Sequence, residues 1–200
     1  MRRFSYLVSN RLRGLSLAEL IVSLALFSIV MAGVATLIRE TVRFYNVNLV
    51  GIDVQRESIF AMNTLREDLA DASFSSFRTE AEGFVVGNPR DANGDFIYDE
   101  DTGELIWHRL VCYHTERRKG AWLLLRTEYF LEEPTIGPPE VTSDYSIDFF
   151  KANASLKPKI VANHIQSLTC SRQNPTIVKL KANYDDTFTM NLKTSIYLGE

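Results

Sequence analysis

The sequence predicts an α+β protein in which a long N-terminal helix, half membrane span and half amphipathic, packs on an antiparallel β-sheet. Three patterns carry that expectation. Residues 15–38 are apolar apart from Glu19, and residues 20–37 carry no charge. Residues 39–72 then repeat apolar side chains at three- and four-residue steps, the period of one helix face. Residues 105–131 and 178–198 instead alternate apolar with polar residues, as half-buried antiparallel strands do.

The first of these patterns is long enough to span a membrane. Its 24 residues compare with the roughly 20 that an α-helix needs to cross the hydrocarbon core, and no proline interrupts them. The 14 residues before it hold Arg2, Arg3, Arg11 and Arg13 and no acid, so the positive-inside bias places the N-terminus in the cytoplasm and the remainder across the membrane. Glu19 is the anomaly, because a carboxylate in a membrane helix costs about 2.5–3.5 kcal/mol at the bilayer centre, less near its edge, and so calls for a partner. A free α-amine would serve. Cutting the chain after Gly14 makes Leu15 the first residue and Glu19 the fifth. The new ammonium of a neighbouring copy would then neutralise the carboxylate and fix the axial register between helices.

The basic leader, Gly14, the hydrophobic Leu15, Glu19 and the unbroken apolar run together resemble the cleavage and methylation segment of type IV prepilins and of type II secretion pseudopilins. The resemblance implies a pilin-like fold and a division into a leader (1–14), a transmembrane half-helix (15–38), an amphipathic half-helix (39–72) and an extracytoplasmic β-rich domain (73–200). It further implies that a prepilin peptidase cuts between Gly14 and Leu15, that Leu15 becomes N-methylated, and that Glu19 serves assembly. The implied partners are that peptidase, other pilin or pseudopilin subunits, an inner-membrane assembly platform and membrane lipid. The implied location is the bacterial inner membrane as a single-pass chain, then the pilus or pseudopilus. Two positions depart from the pattern: Leu15 stands where the family most often has Phe, and Thr36 where major pilins often have Pro. The second departure leans toward a minor subunit or pseudopilin. Two simpler readings compete: a secretory signal cut after residues 33–35, which leaves Glu19 unexplained, and an uncleaved anchor with Glu19 snorkelling to the interface.

At 200 residues the chain has room for one soluble domain beyond the anchor. Its 22 Lys and Arg against 25 Asp and Glu become 18 against 25 once the leader's four arginines are removed, a net charge of −7. An acidic mature chain without basic clusters argues against a nucleic-acid partner. Cys112 and Cys170 both fall in expected strands. In an oxidising compartment they form a candidate disulfide, the alternative being two small buried hydrophobes.

In chain order, Val42, Tyr45, Leu49, Ile52, Ile59, Met62, Leu65, Leu69 and Ala72 form a helical stripe interrupted only at 55/56. With no proline between this and the apolar run, one helix is expected over about residues 15–72. Residues 73–76 end it, and 84–86 form a short strand. The acidic segment 91–104 offers Asp91, Asn93, Asp95, Asp99 and Asp101 as oxygen ligands of the kind calcium takes. Gly94 is fourth from Asp91 where the EF-hand loop needs its glycine sixth, and Asn93-Gly94 and Thr102-Gly103 are turn signals, so a solvated loop competes with a calcium site.

A strand over 105–114 would place Trp107, Arg109, Val111 and Tyr113 on one face and His108, Leu110, Cys112 and His114 on the other. Two histidines and a thiol on one side lack the further ligand pair a metal site needs. After a basic turn at 116–120, a strand over 122–131 presents Leu123, Leu125, Tyr129 and Leu131 on one face and Arg126 and Glu128 on the other. This hairpin, with its glycine turn followed by Leu-Leu-Leu-Arg at 123–126, resembles that of J-type minor pseudopilins and W-type minor pilins. Four prolines make 132–158 mostly loop, with a short strand at 145–150. The strand at 165–170 joins the sheet, and 178–198 closes it as a hairpin.

No glycine-rich phosphate loop, G-x-S-x-G, H-E-x-x-H or C-x-x-C is present, and His108, His114 and His164 lack a spaced nucleophile and acid. The sequence therefore points away from catalysis and from any cofactor, and toward a structural subunit that is processed and assembled. The rival from another class is a membrane-tethered extracytoplasmic binding domain that does not polymerise.

Overall fold

The computed structural model describes residues 16–184 and 188–199, which fall into two units, residues 1–48 and 49–200. A single α-helix, α1, runs Leu17–Ala70. Among the described residues of the first unit it is the only element, and every one of them up to Asn48 is exposed. Three of its hydroxyls, those of Ser28, Thr36 and Thr41, nonetheless donate to the carbonyls of Leu24, Ala32 and Leu37 at 2.8–2.9 Å. A helix bound for lipid needs this, since hydrocarbon offers no replacement partner.

In the second unit α1 buries Gly51, Val54, Ser58, Ala61, Met62, Leu65, Asp68 and Leu69. That corrects the stripe expected from the sequence over its first half. Ile52 and Ile59 face outward at 60% and 45% exposure, and the face against the sheets runs one position earlier, through small residues. Small side chains let the backbone come close: a Cβ on Gly51 would sit 3.4 Å from the Phe188 ring. The apparent break at 55/56 disappears, because the stripe passes through 54 and 58.

Among the described residues eight strands come after it: β1 (Phe77–Glu80), β2 (Gly83–Asn88), β3 (Ile106–Arg118), β4 (Ala121–Ile136), β5 (Lys159–Asn163), β6 (Ile165–Cys170), β7 (Thr176–Tyr184) and β8 (Phe188–Ile196). They form two antiparallel sheets, ordered β1-β2-β3-β4-β5 and β6-β7-β8, where the sequence had suggested one. The break falls at His164, whose φ of +64° turns the chain between β5 and β6. Its N–H donates to the Trp122 carbonyl at 2.7 Å, and its own carbonyl accepts from Asn183 N–H at 2.8 Å, so one residue ends the first sheet and begins the second.

The alternation read in β3, β4, β7 and β8 holds. Val111 and Tyr113 join α1, Phe84 and Leu180 in the main core, while Leu110 and Cys112 face the other way. Both long strands outrun expectation: β3 continues past His114 to Arg118, and β4 runs through Pro134. Proline is tolerated there because β5 pairs only with residues 123–126, leaving Pro134 on an edge.

The expected strand at 145–150 is instead a 3₁₀ turn (Ser143–Tyr145) and a short helix, α2 (Ile147–Ala152). The Ser146 side chain caps α2 by accepting from Phe149 N–H, with Asp148 in its first turn and Lys151 in its last. Ile147 and Phe150, three apart on the helix, then cover Val85, Leu110 and Cys112. The first sheet is thereby buried on both faces. Cys112 lies in this second cluster and Cys170 packs against the first; both are free thiols. Burial pushes the Cys112 thiol far above its ordinary range and Cys170 up to about 12.

A charged network ties the end of α1 to the first sheet. Asp68, 8% exposed, accepts from Tyr113 Oη at 2.5 Å, from Arg126 Nε at 2.7 Å and from Asn88 Nδ2 at 3.3 Å. Arg126 also pairs with Glu128, which Arg109 Nη1 reaches at 3.1 Å. Burial pushes the Glu128 carboxyl up, but the Arg126 hydrogen bond and the charges of Arg126, Arg109 and Lys159 outweigh it and hold the pKa below its ordinary value. A carboxylate lowered on folding adds stability that is present above its unfolded pKa and lost as pH falls through the folded one. The stability gap between wild type and E128Q should therefore be full above about pH 4.3 and shrink below it. Denaturant unfolding of the full chain in detergent at pH 7 and pH 3 checks this; an equal gap at both pH values contradicts it.

Candidate functional site

The site the sequence singles out is the start of α1. Ser16 N–H and Oγ donate to Glu19 Oε2 at 2.9 and 3.0 Å, and Glu19 N–H returns a bond to Ser16 Oγ at 3.3 Å. This is a capping box: the hydroxyl and the carboxylate three residues on each satisfy an orphan N–H of the first turn. The helix dipole also favours a negative charge there. The Ser16-x-x-Glu19 spacing was readable in the sequence as a helix start, and reading Glu19 only as a membrane charge in need of a distant partner missed it. The cap uses Oε2 alone; Oε1 takes no hydrogen bond among the described residues. Gly14 and Leu15, the expected cleavage and methylation positions, lie outside the described residues.

Beyond the cap, the most apolar 18-residue window of α1 has a mean hydropathy of 2.5, and none of it is buried. Leu17, Phe27, Ile29 and Leu37 are 61–77% exposed. A strip of this size left bare in water would aggregate, so its solvent is lipid or other helices.

The remaining candidates are dispersed. Asp91 accepts from the N–H groups of Asn93 and Asp95 at 2.8 and 2.9 Å, and Asp99 from those of Asp101 and Thr102 at 3.2 and 2.8 Å. Bonds from the Asp95 N–H on Asp91, and from the Thr102 N–H and hydroxyl on Asp99, lower both pKa values. Their carboxylates thus order two turns. Among the described residues no group of three or more His, Cys, Asp or Glu side chains is placed to hold a metal ion. His114 is 3% exposed with Nδ1 3.8 Å from Cys112 Sγ, and burial lowers its pKa.

Over residues 9–35 the chain matches a family model described as the prokaryotic N-terminal methylation motif. The N-terminal segment is therefore of the prepilin type. That motif on a long apolar helix supports a type IV pilin-like protein anchored in a membrane. No curated protein and no solved structure matches it.

Proposed function

We propose that this chain is a minor pilin or pseudopilin, a non-catalytic subunit of a type IV pilus or a type II secretion pseudopilus. A prepilin peptidase removes residues 1–14, Leu15 is methylated, and the subunit then assembles with sibling subunits through its apolar helix at an inner-membrane platform. The N-terminus faces the cytoplasm before cleavage and the β-rich domain lies across the membrane, as the four leader arginines favour. The observation that carries this reading is the methylation motif over residues 9–35 on a helix whose most apolar window is entirely uncovered.

The Ser16–Glu19 cap favours a second reading, a tethered domain that never polymerises, because it gives the carboxylate a partner without a neighbour. Two substitutions separate them. As a docking group, Glu19 uses Oε1 for a neighbour's terminal ammonium, so E19A should be cleaved normally yet lost from sheared filaments, while S16A still assembles. As a cap only, the two variants should behave alike, each loosening the first turn of the helix. Mass spectrometry of the mature N-terminus, expected to begin at methylated Leu15, and subunit content of the filament fraction read both outcomes.

A further inference from the structure

At the tip of the β3–β4 hairpin lies a cleft of about 620 Å³, lined by Arg117, Lys119 and Trp122 from the tip and by His164, Gln166 and Tyr184 from the junction of the two sheets. Lys119 (φ +50°) and Gly120 (φ +87°) form the tight turn that holds the tip. Arg117 donates Nε to the Gly120 carbonyl at 3.3 Å with its guanidinium 6.0 Å from the Trp122 ring centre. Neither Arg117 nor Lys119 is paired with a carboxylate among the described residues. On the far wall the Gln166 side-chain oxygen is buried with no hydrogen-bond partner. Two unpaired cations ask for carboxylates and an orphan acceptor asks for an N–H, a combination met by an acidic peptide rather than by a simple anion.

Such a peptide exists at the other end of the same hairpin. Residues 91–104 carry Asp91, Asp95, Asp99, Glu100, Asp101 and Glu104, mostly exposed, and lead directly into β3. The 13 residues of β3 put the two ends about 40 Å apart at roughly 3.3 Å per residue. That is several times the Debye length of about 8 Å in physiological salt, so one chain's ends do not neutralise each other. We infer that the tip cleft receives the 91–104 segment of a second copy of this chain, stacking subunits head to tail. Such a contact is heterologous, and wherever its rotation does not close a ring it propagates as a filament. The inference deepens the proposed assembly and rests on that reading for its setting, although the contact is read on the purified full chain.

The test is cysteine cross-linking of the full chain in detergent. A92C and A121C sit at exposed positions beside the acidic turn and the tip, outside the charges themselves. The double variant should give a disulfide-linked ladder, and an equal mixture of the single variants a dimer only. R117E/K119E, or D95K/E100K/D101K, which leaves the turn-ordering Asp99 in place, should each lower the yield about tenfold or more, because like charges then face one another, and combining the two sets should restore it. Absence of a ladder, a yield indifferent to charge reversal, reversal without rescue, or a yield that appears only after D185N/D186N, meaning that the chain's own acids already occupy the tip, each overturns the contact. Filament content of the wild-type chain and of E19A reads the assembly reading separately: a ladder from a chain that is absent from filaments as wild type, or that still enters them as E19A, would sink that reading and leave the contact standing.

Discussion

Replacing Asp68 with alanine is expected to cost the second unit about 3 kcal/mol, the lower end of the range for removing one member of a buried ion pair. Asp68 takes bonds from Tyr113, Arg126 and Asn88, and its loss strands a phenol that burial and the Asp68 charge hold far above its ordinary pKa. Arg126 keeps Glu128, which is why the cost stays at the lower end. In a domain of this size the melting temperature should fall by about 6–12 °C. Thermal unfolding of the full chain in detergent, followed by tryptophan fluorescence, checks it, since Trp107 is 5% exposed and reports on the same sheet. Y113F should cost only about 1 kcal/mol. The double variant D68A/Y113F should lose less than the sum, because both changes break the same bond. A D68A protein melting within about 2 °C of wild type would falsify the role given to this network.

How much of the fold was legible in the sequence depends on the range over which each signal acts. The apolar run, the continuous helix and the C-terminal hairpin are carried by adjacent residues, and the structure has the run and its continuation as one helix and the hairpin as a strand pair. The buried face of α1 was misphased because Gly51, Ser58 and Asp68 are not apolar, yet small size or long-range pairing qualifies them for the interior. Asp68 finds Tyr113 and Arg126 at separations of 45 and 58 residues, which no local pattern reveals. At 145–150 the alternation of Tyr145, Ile147 and Phe149 mimics a strand; the competing signal was Ser146 as a cap with Ile147 and Phe150 one helical turn apart. For the site, Glu19 was legible as unusual, and its pairing with Ser16 was equally legible as a capping box. The cleft at the hairpin tip was not, because it needs the corner at His164 that brings two sheets together.

Gly83→Ala is the second change with a large expected effect, and its cause is backbone rather than charge. Gly83 opens β2 opposite His114, and a Cβ there would lie 1.9 Å from the Tyr113 carbonyl oxygen and 2.9 Å from the His114 Cα. Both are main-chain atoms of the central strand β3, so no side-chain rotation relieves the overlap. Either β2 or β3 must move, and moving β3 also displaces the Tyr113 hydroxyl from Asp68. Overpacking of ordinary core sites costs about 1–3 kcal/mol; a clash with fixed backbone should exceed about 3 kcal/mol and lower the melting temperature by more than about 6 °C. Gly33→Ala supplies the control, since nothing lies within 4 Å of its added carbon and alanine is the better helix former. G33A should melt with wild type. If G83A does so too, the β2–β3 register described for this sheet is wrong. Because the segment that matches the methylation motif lies in the other unit, the cleavage proposed after Gly14 should still occur in a G83A chain, so that loss of the folded domain and loss of maturation separate in a single preparation.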